Sequence, residues 1–178
     1  MLQTLPGIAV TYQGEEMGLV NTHLSWEDTV DPSACNTQDE INYEKFSRDP
    51  CRTPFPWDTT KNAGFSNAAK TWLKVNDDYP TMNVATQLAA THSHLKIFKK
   101  LTKLRKMDVL RKGEFDSMLV NNENVLIYRR WFGTQDLVVV ILNFGSDAET
   151  VNVKEAFPMI TEDELTIYTA SLDTLVEG

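Results

Sequence analysis

No stretch of this 178-residue sequence holds the roughly 20 consecutive apolar residues that a membrane-spanning helix requires; Leu5 to Val10 and Leu137 to Leu142 are its longest such runs. Basic residues are outnumbered, 17 Lys and Arg against 25 Asp and Glu, which gives a net charge of −8. Such a surface repels phosphate backbones, so nucleic acid is excluded as a partner. The opening residues Met1 to Gly7 lack the positive and apolar regions of a secretory signal; the expectation is an intracellular protein or a true beginning that lies upstream. There is no serine nucleophile elbow, no phosphate loop, no Cys-x-x-Cys, no internal repeat and no low-complexity tract. Of three histidines, His23 stands alone. His92 and His94 have no cysteine or third histidine nearby and read as solvated residues at a helix start rather than as metal ligands.

What is present suits an ordinary globular chain: 42% hydrophobic and 24% charged residues, enough for a real core. Ile8 to Tyr12 reads as a buried strand that follows Pro6-Gly7 and leads into Gly14, Glu15 and Glu16. From Val20 to Asn83 periodicity is weak and turn chemistry dense, with Asp31-Pro32, Asp49-Pro50, Thr53-Pro54, Phe55-Pro56 and Ala63-Gly64. Trp26, Phe55, Trp57, Phe65, Trp72 and Tyr79 run through it, so an ordered, packed excursion is expected. Two helices follow, over Val84 to Ala89 and from about Ser93, whose hydroxyl can cap the second. In that second helix Leu95, Phe98, Leu101 and Leu104 recur at helical spacing beside Lys96, Lys99, Lys100 and Lys103.

After Met107 the period falls to about two residues, the mark of strands. Candidates are Val109 to Phe115, Ser117 to Val120, Val125 to Trp131, Leu137 to Asn143, Thr150 to Val153 and Leu165 to Thr169, with turns at Asn121 to Asn124 and Phe132 to Gln135. A small antiparallel sheet domain is expected there.

Adjacent residues of an extended chain point to opposite sides, so Glu15 and Glu16 do not make a facing acid and base pair, and they read first as structural carboxylates. Arg48, Asp49 and Arg52 share a Pro-rich turn with Phe55, Trp57 and Asp58. Guanidinium forks beside aromatic faces suit sugar hydroxyls, although the same cluster also reads as a structural salt bridge. Cys35 and Cys51, 16 positions apart, are either two free thiols or a bridge worth about 3 kcal/mol in the chain-entropy account; the bridge is the preferred reading.

Taken together, Leu5-Pro6-Gly7-Ile8-Ala9-Val10-Thr11-Tyr12-Gln13-Gly14-Glu15-Glu16-Met17-Gly18 resembles the eighth barrel strand and following loop of glycoside hydrolase family 13, the α-amylase family. Ser25 to Pro32, Arg48 to Asp58, Ala63 to Ser66, Trp72 to Asn76 and Leu104 to Lys106 resemble its insect maltase-type α-glucosidases. The implied fold is α/β: the last strand, loop and helix of a (β/α)₈ barrel over residues 1–106, then an antiparallel β-sandwich over 107–178, both incomplete.

The implied activity is retaining hydrolysis of terminal α-linked glucose from maltose- or sucrose-like oligosaccharides. The Asn-His-Asp triplet of the family is absent, so the nucleophile, acid/base and stabilising aspartate are expected upstream and none is assigned here. By position, Arg52 matches an arginine at the floor of the terminal-glucose subsite, Arg48 and Asp49 match its loop, and Glu15 matches a strand-end glutamate. With its usual aspartate outside the chain, Arg52 is expected to turn to Glu15 or Asp49.

No cofactor or metal is assigned to this chain. The resemblance implies an oligosaccharide substrate, a missing N-terminal barrel as structural partner, and a secreted or extracellular setting, with membrane anchoring and a homodimer left open. Export also agrees with a Cys35–Cys51 disulfide. The alternative is a non-catalytic relative of the same fold, the heavy subunit of an amino-acid transporter. The upkeep of Arg52 within Arg-Thr-Pro-Phe-Pro-Trp favours the enzyme.

Overall fold

The computed structural model describes residues 1–134, 136–160 and 165–174. Two compact units emerge: one combines Met1–Val10 with Lys99–Ala170, and the other combines Thr11–Phe98 with the described residues from Ser171 onward.

The first unit is built on three antiparallel strands in the order β1 (Glu114–Val120), β2 (Val125–Phe132) and β3 (Asp136–Asn143). Register follows from the β1–β2 turn, where Asn121, Asn122 and Glu123 all take positive φ and Val120 is set opposite Val125. Alternation along β2 then gives each face its own core. On one face Ile127 packs with Ala156, Phe157 and Ile160, the first of these ending helix α5 (Val153–Ala156). On the other, Val138 of β3 meets Leu104, Val109 and Leu110, the last two from helix α4 (Asp108–Arg111). Tyr128 is fully buried on this side and its hydroxyl lies 2.5 Å from Thr4 Oγ1. The residue at 113 has to be glycine, because a Cβ there would stand 2.1 Å from the Val109 carbonyl oxygen.

The second unit owes little to regular structure. It contains helix α1 (Pro32–Cys35), helix α2 (Val84–Ala89) and short 3₁₀ turns at Glu15–Met17, Tyr43–Lys45, Asp49–Cys51 and Lys61–Gly64. Its buried residues Met17, Leu24, Ala34, Tyr43, Ala63 and Leu73 are held by hydrogen bonds that reach across the loops. Tyr43 donates to the Leu24 carbonyl at 2.8 Å, Asn76 Nδ2 to Val20 at 3.0 Å and Gln87 Nε2 to Met17 at 2.8 Å. Trp26 packs edge-on against Tyr43, and Phe55 against Trp57. The ordered excursion expected from the aromatics is what forms. Helix α3 (His94–Leu104) starts where Ser93 Oγ accepts the Lys96 amide at 3.2 Å, as the sequence predicts. The boundary between the units falls within this helix.

Four strand expectations are corrected. Ile8 to Tyr12 forms no strand, and Ile8 and Val10 are 92% and 75% exposed, because no described segment lies beside them to complete a ladder. Val109 to Phe115 divides into α4 and the first residues of β1; Val109 and Leu110, adjacent and both buried, fit a helix turn rather than an alternating strand. Thr150 to Val153 runs into α5, whose first turn is capped by Asn152, and Leu165 to Thr169 joins no strand ladder among the described residues. Among the described residues the expected incomplete antiparallel domain is represented by one three-stranded sheet. The turn expected at Phe132 to Gln135 includes Gln135, which lies outside the described residues.

Candidate functional site

The segment Thr29–Thr53 is organised around two buried aspartates. Asp31 caps α1: its Oδ1 accepts the Ser33 amide at 3.1 Å, and Pro32 fills the first helical position, where no amide is needed. The same carboxylate receives Arg48 three times, from its backbone amide at 2.7 Å and Nε at 2.8 Å on Oδ2, and from Nη2 at 2.6 Å on Oδ1. With four bonds its acceptor sites are filled. The Arg48 guanidinium holds the Asp31 carboxyl far below the usual carboxylate range, and the aspartate in turn raises the Arg48 pKa.

Asp49 is buried and accepts the Val30 and Asp31 amides on one oxygen at 2.7 and 2.8 Å. It shapes the chain rather than facing a ligand. The 3₁₀ turn Asp49–Cys51 closes with the Arg52 amide on the Asp49 carbonyl at 2.8 Å. Arg52 is thus placed immediately after a doubly braced turn. It is partly buried, and its guanidinium has no ion pair or hydrogen bond among the described residues.

That outcome corrects the expectation that Arg52 would pair with Glu15 or Asp49. Both carboxylates accept backbone amides instead: Glu15 Oε2 takes the Tyr12 amide at 3.1 Å, and Asp49 takes the Val30 and Asp31 amides as described. For Glu15 the amide is three residues away, so the bond costs little chain ordering, whereas Asp49 ties its turn to the amides of residues 30 and 31. Glu16 behaves like Glu15, accepting from Gly14 at 2.9 Å.

The disulfide expectation is also corrected, since Cys35 and Cys51 are free thiols. Cys35 closes α1 with its sulfur directed to the Thr29 carbonyl at 3.5 Å, while Cys51 Sγ donates to the Arg48 carbonyl at 3.1 Å. Each thiol has a backbone carbonyl as its partner. Downstream, Asp58 accepts Thr60 through both its amide and its hydroxyl, which lowers its pKa. Gly64, at φ +69°, sits against that carboxylate so closely that a Cβ would lie 2.7 Å from it. Trp57, Phe65 and Trp72 remain about half exposed. A separate cleft of about 290 Å³ is lined by Thr22, His23, Tyr43, Glu44 and Ser47, among others, and Arg52 is not part of its wall. Among the described residues no three His, Cys, Asp or Glu side chains come together as metal ligands.

Comparison with known proteins matches residues 1–113 to the alpha-amylase catalytic domain. The chain belongs to the alpha-amylase family. Its (β/α)₈ portion is the end of that barrel, and the antiparallel sheet follows it. The chain is 53% identical to the salivary alpha-glucosidase of Aedes aegypti over 88% of its own length, and 47% identical to Maltase A1 of Drosophila melanogaster over 98%. It spans only 27% and 30% of those relatives. A crystal structure of a MutB mutant in complex with the substrate sucrose superposes with a TM-score of 0.71 at 28% identity, over 82% of this chain and 29% of that one. The human amino acid transporter heavy chain SLC3A1 is 34% identical over 82% of this chain and 19% of its own length.

Asp31 is the site residue that sequence reasoning passed over. Its signal was present as Asp followed by Pro at a helix start, but the partnership with Arg48, 17 positions on, leaves no local trace.

Proposed function

We propose that this chain is the C-terminal part of an α-glucosidase that releases terminal α-linked glucose from maltose- or sucrose-like oligosaccharides with retention. The observation that carries the reading is Arg52: a residue set by its backbone behind a braced turn, within a segment like that of the insect α-glucosidases, whose guanidinium is unpaired among the described residues. Such a group is suited to hold sugar hydroxyls or to meet a carboxylate from the preceding part of the barrel. Asp31, Arg48 and Asp49 position it. Glu15, through the Tyr12 amide, braces its own loop. The attacking and protonating carboxyl groups come from outside this chain: a retaining mechanism needs two carboxyl groups about 5 Å apart, the family's Asn-His-Asp triplet is absent here, and Glu15, Asp49 and Asp58 accept hydrogen bonds from the chain's own amides.

We further propose a boundary between barrel and sheet domains near residue 106, close to the end of α3. Relatives that are 53% and 51% identical are salivary enzymes, which supports a secreted protein. No described helix is long and apolar enough to cross a membrane. Against the transporter-subunit reading stands the lower identity, 34% against 53%, together with Arg52, which a purely structural descendant does not require.

The test is to join this chain to the preceding barrel portion of the Aedes aegypti enzyme and to measure glucose released from maltose. Activity supports the reading. A joined protein that folds, by circular dichroism and a cooperative melt, yet releases no glucose would overturn it.

A further inference from the structure

Within the sheet-bearing unit lies a cavity of about 370 Å³ whose chemistry contrasts with the net negative chain. Four of its eight lining residues are the cations Arg105, Arg111, Lys112 and Arg130, and none is acidic. Pro6, Gly7 and Gly113 supply compact walls.

Arg130 is the centre of the argument. It is 2% exposed, and every hydrogen bond it makes runs to a carbonyl: Nε to Glu114 at 3.0 Å, Nη1 to Thr4 at 3.1 Å, and Nη2 to Leu110 at 3.0 Å and Gly113 at 2.9 Å. Carbonyl dipoles orient the fork without neutralising its charge, and no carboxylate among the described residues pairs with it. Buried charges are ordinarily paired. Arg105 repeats the pattern, donating from Nη1 to Gln3 and Leu5 at 2.9 and 3.0 Å and from Nη2 to Gly7. Burial first, and then the charge of Arg105, lowers the Arg130 pKa.

A guanidinium has five N–H groups. Arg130 therefore keeps one unspent on Nη1, and Arg105 keeps its Nε and one on Nη2. The outer cations are differently held. Arg111 and Lys112 share Asp108 at 3.7 and 2.9 Å, with their side chains more than half exposed, so these pairs restrain them weakly. Two fixed guanidinium groups with unspent donors, flanked by two half-exposed cations, match a tetrahedral anion with several oxygens better than a single-point ion.

We propose that this cavity binds a small oxyanion of the phosphate class, with Arg105 and Arg130 as fixed donors and Arg111 and Lys112 closing from outside. The proposal does not depend on the α-glucosidase reading.

The test titrates inorganic phosphate into the purified 178-residue chain in a phosphate-free buffer at constant ionic strength, followed by calorimetry and thermal unfolding. The expected result is saturable binding with a rising melting midpoint. The double variant Arg111→Gln/Lys112→Gln, altered only at half-exposed side chains, should melt normally without phosphate and bind at least tenfold more weakly. Lys61→Gln/Lys70→Gln, which removes the same charge elsewhere, should bind like the parent. A phosphate effect no greater than that of sodium chloride at equal ionic strength, or an equal loss in both double variants, would overturn the site and leave Arg130 a structural residue.

Discussion

Arg48 grips Asp31 with two arms of its guanidinium and its own backbone amide, while the aspartate side chain is wholly buried and the arginine 54% exposed. A single carboxylate thereby caps a helix, anchors a guanidinium and fixes the turn that leads to Arg52.

The first prediction concerns this carboxylate and pH. Its folded pKa lies well below the unfolded value of about 3.9, so its stabilising effect is complete above that value and is lost as pH falls toward the folded pKa. Asp31→Asn should melt lower than the parent by a constant amount from about pH 5 to pH 8, and the gap should close in stronger acid. Melting curves across that range check it; a gap that widens below about pH 4 would contradict the assignment.

Helix α2 depends on one cap. Asn83 is fully buried, its Oδ1 accepts the Thr86 amide at 2.8 Å and its Nδ2 donates to Tyr79 at 2.8 Å. Asn83→Ala should cost about 1–2 kcal/mol by urea unfolding, and Asn83→Asp, which keeps the cap, should recover part of it.

In the sheet unit, the Thr4 hydroxyl already donates to the Met1 carbonyl, so the proton in its bond with Tyr128 comes from the tyrosine. Tyr128→Phe should lower stability by about 1 kcal/mol, with the shape of the core unchanged. Phe157→Ala, which empties a fully buried ring site in the opposite core, should cost about 3–5 kcal/mol. Unfolding of the two variants side by side measures the contrast, and equal losses would show that the cores are not packed as described.

The chain by itself should release no glucose from maltose or from a chromogenic α-glucoside above a buffer control. Glu15, Glu16, Asp49 and Asp58 accept hydrogen bonds from the chain's own amides and hydroxyls, and none belongs to a motif that supplies an attacking or protonating carboxyl group. Reproducible release by purified chain that disappears with Glu15→Gln would refute this.

What could be read from the sequence was what neighbouring residues decide. Ser93 as a cap, the period-3.6 pattern of α3 and the turn at Asn121 to Asn124 are all set within a few residues, and the structure keeps them. So was the packed character of the aromatic-rich excursion, because Trp26, Tyr43, Phe55 and Trp57 can hardly be ordered without one another. Strand status was not legible at Ile8 to Tyr12, Thr150 to Val153 or Leu165 to Thr169, since β-propensity becomes a strand only when a second strand supplies the ladder. At the site, the residue types around Arg52 were visible, but not which acid each base would find. Arg48 found Asp31 because the helix cap had already buried that carboxylate beside it, whereas Glu15 and Asp49 were taken by amides. The two thiols were decided in the same way, each directed to a backbone carbonyl of a preceding residue.

The most direct measurement is kcat/KM for maltose in the joined protein, with and without Arg52. A guanidinium that holds the sugar through charge-assisted bonds is worth about 1.5–3 kcal/mol, so Arg52→Ala should lower kcat/KM by about 10- to 100-fold with the melting temperature unchanged. A kcat/KM within about twofold of the parent would contradict the account, because an interaction of that kind cannot be removed so cheaply.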